Sequence, residues 1–318
     1  MVAAPADLIP LYPRRRLLGT APGGATSLRR GGRADLASSR PYRPGDHFRT
    51  IDWKSSARLS SARQSDEFIV RERFADETPA VVLVVDRRPE MALYPPDLPW
   101  LHKAAAVRAV ACVLAASALN QRALLAYLDF GTHHGESEAG TPYWEPPRAQ
   151  ANVWRSTLRE RLDNYLDQDF DAPEDNIERA LAFLGTVRGS VPIGSFLFVL
   201  SDFIAPTPPE AWGHAVDRGW DVVPVIVQDP VWEQSFPPID GVMVALADAR
   251  GDGARPVRLQ RAEVEERRAH NEARLRTLRS DFLRLGLDPV VVDDAHPSAV
   301  HATLLDWANG RLSGRGSL

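Results

Sequence analysis

Over most of the chain, short apolar runs alternate with segments of helical periodicity. The continuous β-branched run AVVLVVD at 80–86 ends at an acid, which is typical of a central parallel strand that is buried on both faces. The next segment, Lys103–Asn120, has apolar residues at helical spacing along one stripe, including Val107, Val110 and Leu114. Together the two segments predict a strand followed by an amphipathic helix.

The same alternation continues toward the end of the chain. The run SFLFVLSD at 195–202 repeats the form of the first strand and again ends at an acid. Strands that alternate with helices favour a parallel sheet that is covered on both faces and joined by right-handed crossovers. We therefore predict a Rossmann-like three-layer α/β/α domain over residues 79–318. Its further strands are predicted at 123–130, 221–228 and 289–293, and its further helices at 153–166, 177–187, 209–218 and 297–312.

Two segments interrupt this order. Apolar runs at 241–248 and 256–260, separated by the Gly- and Asp-rich ARGDGAR, predict a hairpin. The helix predicted at 261–285 is dense in charge, with acids and bases three or four residues apart. We interpret it as a solvated helix held by surface ion pairs; the alternative is a dedicated docking helix.

Residues 1–78 differ from the rest in composition. They are rich in Arg, Ser, Gly and Pro, and short apolar stretches such as Phe68–Val70 predict edge strands. They contain 14 basic and 9 acidic residues, whereas 24 basic and 33 acidic residues follow. We predict a basic, β-rich N-terminal subdomain over 1–78 that packs on the larger domain and depends on it for stability.

Composition excludes several classes of protein. Glycine and proline, at 21 and 26 of 318 residues, are too few for a low-complexity chain. Cys112 is the single cysteine, so neither an internal disulfide nor a cysteine-based zinc site can form, and its place on an apolar helix predicts a buried thiol. The apolar run 104–119 contains Arg108 and is shorter than the ~20 residues of a membrane span. Because the first residues also lack a secretory pattern, we expect a cytoplasmic protein without membrane insertion.

Motifs of the common enzyme classes are missing. The sequence has no Gly-x-Gly-x-x-Gly after a strand, no Gly-x-x-x-x-Gly-Lys-Ser/Thr phosphate loop and no Gly-x-Ser-x-Gly nucleophile turn. The adjacent His133 and His134 lack the helical spacing that directs two imidazoles at one ion, so we predict an exposed loop there rather than a metal site. We therefore expect a protein that is not an enzyme and that needs no cofactor.

Two carboxylates are predicted to meet at one edge of the sheet. Asp86 and Asp202 each follow a predicted strand. Ligands of open parallel sheets bind beyond the carboxyl ends of the strands. Such a pair of acids suits a metal ion or a cationic side chain.

A segment between residues 40 and 58 combines turn residues, aromatic side chains and charges of both signs. Pro44-Gly45 favours a type II turn. The segment has two interpretations: an ion-paired brace that fixes the small subdomain to the sheet, which we favour, or a recognition surface. Its candidate residues are Arg40, Tyr42, Gly45, Asp46, Arg49, Asp52, Trp53 and Arg58.

These residues form a pattern that resembles a known protein family. The stretch R-x-Y-x-x-G-D-x-x-R-x-I-D-W at 40–53, with the later strands that end at Asp86 and Asp202, resembles domain-of-unknown-function family 58 over most of residues 26–310. Proteins of this family look like von Willebrand factor A-type domains and are typically encoded beside MoxR-type AAA ATPases. Many members carry N-terminal membrane helices, and this chain resembles the soluble branch without them.

The resemblance implies a binding site for a divalent cation at the sheet edge. In such domains Asp-x-Ser-x-Ser after the first strand, a loop threonine and an Asp after a later strand hold the ion, and a carboxylate of a partner completes its coordination. Asp86 and Asp202 match the two acids. Arg88 and Glu90, however, stand at the serine positions, and the loop 172–176 has no threonine.

A guanidinium beside a divalent ion is unfavourable, because two unit charges 4 Å apart interact with ~4 kcal/mol at an effective dielectric constant of 20. We therefore expect Arg88 to take the place of the ion, to pair with Asp86 or Asp202 and to leave a degenerate, metal-free site. The alternative is that Glu90 and Asp175 replace the missing hydroxyls and that the site binds Mg or Mn.

The resemblance implies a non-catalytic adaptor or scaffold that works with a MoxR-type AAA ATPase as its protein partner. The residues themselves leave two alternatives. The Arg-rich N-terminal segment, with Tyr42, Phe48 and Trp53 for stacking, would bind nucleic acid, but interleaved acids interrupt the basic stripe that this requires. A metal-dependent hydrolase would use Asp293 together with the two acids of the sheet edge, but the sequence shows neither a suitable histidine nor complete metal ligation.

Overall fold

The chain divides into two compact units. The smaller unit is Arg15–Thr78, and the larger unit combines Pro79–Leu318 with Met1–Arg14. The computed structural model describes residues 8–13, 18–19, 36–42, 51–63, 68–74, 80–93, 100–148, 160–187, 190–247 and 254–313.

The smaller unit contains an antiparallel sheet and a helix. β1 (Leu18–Gly19), β2 (Leu36–Pro41) and β3 (Ile69–Phe74) pair in the order β1-β3-β2. The helix α1 (Trp53–Arg63) precedes β3. The predicted β-rich character of this part of the chain is confirmed, whereas α1 was not predicted because its serine- and arginine-rich sequence shows no apolar stripe.

The larger unit confirms the predicted three-layer α/β/α architecture. Its strands and helices follow one another as β4 (Ala80–Val85), α2 (Lys103–Asn120), β5 (Leu124–Asp129), β6 (Tyr143–Arg148), α3 (Asn176–Thr186), β7 (Phe196–Ser201), α4 (Pro209–Asp217), β8 (Asp221–Val227), β9 (Met243–Ala247), β10 (Ala254–Arg258), α5 (Arg261–Arg284), β11 (Val290–Val292) and α6 (Pro297–Ser313). Six of these strands form one sheet in the order β11-β8-β7-β4-β5-β6, and β9 and β10 form the predicted hairpin.

The main sheet is parallel except at one edge. β6 pairs with β5 in the antiparallel sense, whereas the other neighbouring strands run parallel. β6 was not predicted, because Pro146 and Pro147 argue against a strand; prolines are tolerated in an edge strand, where an amide hydrogen is not needed. Of the helix predicted at 153–166, residues 153–159 lie outside the described residues; residues 160–163 are helical, and Tyr165–Asp167 form a 3-10 turn.

The central strand β4 contributes to a core on each side of the sheet. All six of its residues are buried. Val81 and Leu83 face a core that is shared with α2 and α6, whereas Val82 and Val84 face a core that is shared with α3, α4 and the end of α5. This alternation follows from the two-residue period of a strand. β4 is therefore covered on both faces, and the first polar side chain after its end is that of Asp86.

The helix α2 packs its predicted stripe against the sheet. Val107, Val110 and Leu114 are fully buried or nearly so. Among the described helices, α2 alone is long and apolar enough to cross a membrane, and 56% of it is buried in the core, as in the core helix of a globular domain. Cys112 is exposed, which corrects the prediction of a buried thiol. Residues two positions apart on a helix do not share a face, so the buried stripe through Val110 and Leu114 turns Cys112 outward.

The N-terminal segment 8–13 belongs to the larger unit, although the sequence analysis placed it in the subdomain 1–78. Ile9 and Leu11 are buried in the core beside α2. The amide of Ile9 donates a hydrogen bond to Ser117 Oγ at 3.0 Å, and Gln121 Nε2 donates to the Ile9 carbonyl at 3.2 Å. Segment 8–13 therefore contributes Ile9 and Leu11 to the core of the larger unit.

Replacing Ile9 with alanine tests this placement. We expect Ile9→Ala to lower the free energy of unfolding by about 2–5 kcal/mol, because it removes buried methylene groups and leaves a cavity. The measurement is urea denaturation followed by circular dichroism. Val231→Ala is the control, since Val231 is 47% exposed. Equal effects of the two substitutions would contradict the placement of the segment in the core.

Candidate functional site

The carboxyl ends of β4 and β7 bring Asp86 and Asp202 together. The two strands are neighbours in the sheet, and each ends one residue before its aspartate. Both aspartates are 0% exposed. Both carboxylates accept hydrogen bonds from the same side chain, that of Arg88.

The Arg88 guanidinium lies between the two carboxylates. Its Nε donates hydrogen bonds to both carboxylate oxygens of Asp86, at 3.1 and 2.9 Å. Its Nη2 donates to Asp86 Oδ2 at 2.6 Å and to Asp202 Oδ1 at 2.6 Å. Charge-assisted bonds from a planar guanidinium fix direction as well as distance. Arg88 therefore holds the ends of β4 and β7 in one arrangement.

Lys103 supplies a second buried cation. It is the first residue of α2 and is 1% exposed. Its Nζ donates to Asp202 Oδ2 at 2.8 Å and to Glu233 Oε1 at 2.7 Å. Each carboxylate oxygen of Asp202 thus accepts a hydrogen bond from one cationic side chain. We refer to Asp86, Arg88, Lys103, Asp202 and Glu233 as the charge cluster.

Neutral donors complete the hydrogen bonding of the two aspartates. Ser201 Oγ donates to Asp86 Oδ2 at 2.6 Å, and Asn176 Nδ2 donates to Asp86 Oδ1 at 3.0 Å. The amide of Ile204 donates to Asp202 Oδ1 at 3.0 Å. Buried charges are tolerated when they are paired and hydrogen-bonded in this way.

Burial and pairing together shift the pKa values of four members of the charge cluster: Arg88, Lys103, Asp202 and Glu233. Burial lowers the pKa of Arg88, but attraction to Asp86 and Asp202 outweighs burial and raises it. The pKa of Lys103 is raised, since Asp202 and Glu233 outweigh the opposing effect of burial. Burial raises the pKa of Asp202, but Lys103 and Arg88 more than offset this and lower it. The pKa of Glu233 is raised. Burial is the main cause and the negative charge of Asp202 adds to it, and together they outweigh the hydrogen bond from Lys103, which lowers the pKa. Asp202 is therefore ionised between two cations at neutral pH.

Glu90 and Asp175, the other two acids considered as ligands of a cation, do not belong to the charge cluster. Glu90 is half-buried in the 3-10 turn Pro89–Ala92. Asp175 is exposed and pairs with Arg179 Nε at 2.7 Å. Within the described ranges, no group of three or more histidine, cysteine, aspartate or glutamate side chains is placed to hold a metal ion.

Three residues of the site were missed by the sequence analysis: Lys103, Asn176 and Glu233. Lys103 lies one helical turn before Val107 on the buried stripe, and this spacing was a signal that its side chain faces the sheet. Asn176 is the first residue of α3 and ends the segment 172–176, in which only acids and hydroxyls were sought. Glu233 belongs to the turn after β8, and no pattern in the sequence marks it.

A second buried polar cluster lies at the ends of β4 and β5. Arg87 Nη1 is 3.5 Å from Asp129 Oδ2 and 3.1 Å from His133 Nε2. Tyr127 OH donates to Asp129 Oδ2 at 2.7 Å, and His133 Nε2 lies 2.7 Å from Asp129 Oδ1. His134 is exposed, but His133 is only 7% exposed. The prediction of an exposed loop is therefore wrong for His133, because the acid that ends β5 holds its ring inside.

Arg161 covers this second cluster on its outer side. Its guanidinium lies 3.8 Å from the centre of the Tyr143 ring and contacts His133 Nδ1. Its Nε donates to Glu145 Oε1 at 3.1 Å. The cluster is thus closed by a network of ion pairs and stacked rings, which is typical of a structural brace.

The candidate residues of the smaller unit have different environments. Asp52 is buried and caps α1, since its Oδ1 accepts a hydrogen bond from the Ser55 amide at 3.1 Å. Trp53 is 60% exposed, and its ring packs against that of Phe68 with centroids 5.7 Å apart. Among the others, Tyr42 is half-buried, Arg58 is exposed on α1, Arg40 belongs to β2, and Gly45, Asp46 and Arg49, like Phe48, lie outside the described residues.

Asp293 does not join the charge cluster. It is exposed and directly follows β11, and β8 lies between β11 and β7 in the sheet. The third carboxylate considered for a hydrolase is therefore separated from Asp202 by the width of a strand.

Removing the Arg88 cation is expected to be costly. We expect Arg88→Met to lower the free energy of unfolding by about 3–5 kcal/mol, because it leaves two buried carboxylates without their shared partner. Arg179→Met is the matched control: it also breaks an Arg–Asp pair, but both side chains are nearly half exposed, at 47% and 48%, and the expected loss is at most about 1 kcal/mol. Chemical denaturation of both variants measures the difference, and similar losses would contradict the structural role assigned to Arg88.

The comparisons with known proteins agree with the pattern in the sequence. A family model described as "Protein of unknown function DUF58" matches residues 38–278. Comparison with the curated proteins finds no match. Among solved structures, the chain is similar to the conserved hypothetical protein BatB from Bacteroides thetaiotaomicron, with 14% identity, a TM-score of 0.38, and coverage of 73% of this chain and 99% of that chain. Because the family model extends from the smaller unit through the whole charge cluster, this chain belongs to the DUF58 family.

Proposed function

We propose that this protein is a cytoplasmic, non-catalytic adaptor or scaffold that works with a MoxR-type AAA ATPase. The observation that supports this most is the Arg88 guanidinium between Asp86 and Asp202. In the von Willebrand factor A-type domains that the family resembles, a divalent ion lies between such acids and receives a carboxylate from a partner protein. The ATPase as partner follows from the family resemblance.

The geometry of the charge cluster supports a degenerate cation site. Arg88 Nη2 lies 2.6 Å from one oxygen of each aspartate, which is where a bridging cation would contact both. A divalent ion there would meet the guanidinium, and each pair of unit charges 4 Å apart interacts with ~4 kcal/mol at an effective dielectric constant of 20. Lys103 adds a second positive charge beside Asp202. The site therefore retains its acids and holds protein cations in place of an ion.

The same pairing argues against acid–base catalysis at the charge cluster. A catalytic acid or base has to reach the substrate and to change its protonation near the working pH. Arg88 and Lys103 are 3% and 1% exposed, and both cations are paired with Asp202, whose pKa they lower. These groups position the loops that follow β4 and β7. The cluster thus supports a positioning role and not acid–base catalysis.

Exposed side chains of the smaller unit support a second candidate, the binding of single-stranded nucleic acid. Trp53 is 60% exposed, and Lys54 and Arg58 are exposed on the same helix. Stacking of a base on an aromatic side chain contributes about 1–3 kcal/mol. Salt-dependent binding of a labelled oligonucleotide that Trp53→Ala weakens would favour this candidate, and absence of binding at low salt would eliminate it.

Restoring the hydroxyl ligands tests the degenerate site. The double variant R88S/E90S recreates Asp-x-Ser-x-Ser and removes the guanidinium. With Mn²⁺ at about 100 times its dissociation constant, this variant is expected to gain about 2.7 kcal/mol of stability, seen as a rise in Tm, whereas the Tm of the wild-type protein is expected not to change. Calorimetric titration of the wild-type protein with Mg²⁺, Mn²⁺ and Ca²⁺ is the direct control. Micromolar binding that Asp86→Ala abolishes would contradict the metal-free site.

Affinity purification of the tagged full chain from its own host tests the adaptor function. A MoxR-type AAA ATPase is expected to co-purify, in amounts that depend on ATP, and to be missing from an untagged control; mass spectrometry identifies it. Recovery of no AAA ATPase with or without ATP would contradict the proposal, and so would turnover of a substrate by the isolated chain.

A further inference from the structure

A groove of about 470 Å³ lies between α4 and α5, with the loop after β7 as one wall. Its volume is within the range of about 300–1,000 Å³ that is typical of binding pockets. The groove belongs to the larger unit and is distinct from the buried charge cluster. It is also bordered by the charged helix for which the sequence analysis left a docking role open.

The floor of the groove is a rigid set of aromatic rings. Phe203, Trp212 and Phe282 are 6%, 2% and 3% exposed. Their ring centroids lie 5.8 Å (Phe203 to Trp212), 5.3 Å (Phe203 to Phe282) and 5.2 Å (Trp212 to Phe282) apart. Mutual packing of this kind fixes the rings, so the groove does not have to form when a ligand arrives.

The shape of the groove fits a peptide segment better than a compact small molecule. The α5 residues that line it recur at intervals of three and four residues from His270 to Leu285. At 1.5 Å per residue this stripe is ~22 Å long. A groove of this length accommodates a row of side chains at helical spacing, as in complexes in which an amphipathic helix lies in a groove.

Charge distinguishes the two ends of the groove. His270 and Arg274 line the end nearer the start of α5. The Arg274 guanidinium is held in place, since its Nη2 donates to the Glu233 carbonyl at 2.6 Å. Asp281, toward the other end, already pairs with Arg284 Nη2 at 2.6 Å. The groove therefore offers an apolar floor with a positive end, which complements an apolar segment that carries an acid.

The loop after β7, which forms one wall of the groove, has a strained backbone at Phe203 and is hydrogen-bonded to Asp202 of the charge cluster. Phe203 has φ = 50°, a left-handed conformation that is uncommon for a bulky side chain and that is often found at functional sites. Its amide donates to Ser201 Oγ at 3.0 Å, and the next amide, that of Ile204, donates to Asp202 Oδ1 at 3.0 Å. Ile204 itself is 38% exposed at the rim. The ionic contacts of Asp202 thus hold an apolar side chain at the mouth of the groove.

We propose that this groove binds an amphipathic segment of a partner protein. The apolar side chains of that segment cover the Phe203–Trp212–Phe282 floor, and one of its carboxylates pairs with Arg274. The inference rests on the proposed adaptor function, to which it adds a contact surface and the chemical character of the partner: an acidic, amphipathic helix.

Selection from a phage library of random 15-residue peptides on the immobilised full chain tests the groove. The enriched peptides are expected to carry apolar residues at helical spacing and an acid near one end. A labelled peptide from this set then serves as the probe in fluorescence anisotropy. Thr277→Trp, which fills the groove from an exposed position, is expected to weaken its binding at least tenfold.

The charged end is tested with a matched pair of variants on α5. Arg274→Met is expected to weaken the peptide about threefold to tenfold, as for the loss of a partly exposed ion pair. Arg276→Met is expected to leave binding unchanged, because Arg276 does not line the groove and its side chain is 71% exposed. Circular dichroism of each variant establishes that it is folded.

Three outcomes would overturn the proposal: no enriched peptide, a peptide whose affinity is the same for wild-type protein and Thr277→Trp, or equal effects of Arg274→Met and Arg276→Met. A concentration-dependent dimer that Thr277→Trp dissociates, seen by sedimentation, would also overturn it, because a second copy of the chain would then be the occupant. If an AAA ATPase still co-purifies with the wild-type chain after one of these results, the assignment of the groove fails and the adaptor function stands.

Discussion

The Arg88 bridge between Asp86 and Asp202 is the interaction on which the rest of the site depends. It joins the ends of two central strands, and the contacts of Lys103 extend it to Glu233 in the turn after β8. Buried ion pairs often add little net stability compared with hydrophobic packing, because desolvation offsets their attraction. Each partner is nevertheless costly to remove once the others are buried. The charges therefore select one arrangement of the loops more than they stabilise the fold.

Most of the framework could be predicted because its signals are local. A run of β-branched residues identifies a central strand by itself, and the apolar stripe of α2 defines a helix whose predicted and observed bounds, Lys103–Asn120, are the same. β6 and α1 lack such signals. In β6, two prolines conceal an edge strand; in α1, serines and arginines leave no apolar face. Both elements owe their structure to their neighbours more than to local preference.

The site could be predicted only where it follows from the topology. Asp86 and Asp202 come directly after neighbouring strands, so strand ends alone bring them to one edge. The Lys103–Glu233 pair joins residues 130 positions apart, and no local pattern reports such a meeting. His133 shows the same limit, because its burial depends on Asp129 and Arg87, which lie on two different strand ends. Contacts that need the assembled fold are visible only in the structure.

The two edge strands of the main sheet, β6 and β11, limit how a strand of another chain can add to that sheet. An open sheet normally offers unpaired amide and carbonyl groups along its margins, where a strand from another chain can add. On one margin, Pro146 and Pro147 of β6 have no amide hydrogen to donate. On the other, β11 is only 3 residues long. Strand addition and fibril growth are thereby disfavoured at both margins of the main sheet, so its helical layers and the loops at its carboxyl end are the surfaces through which the larger unit can recognise other molecules.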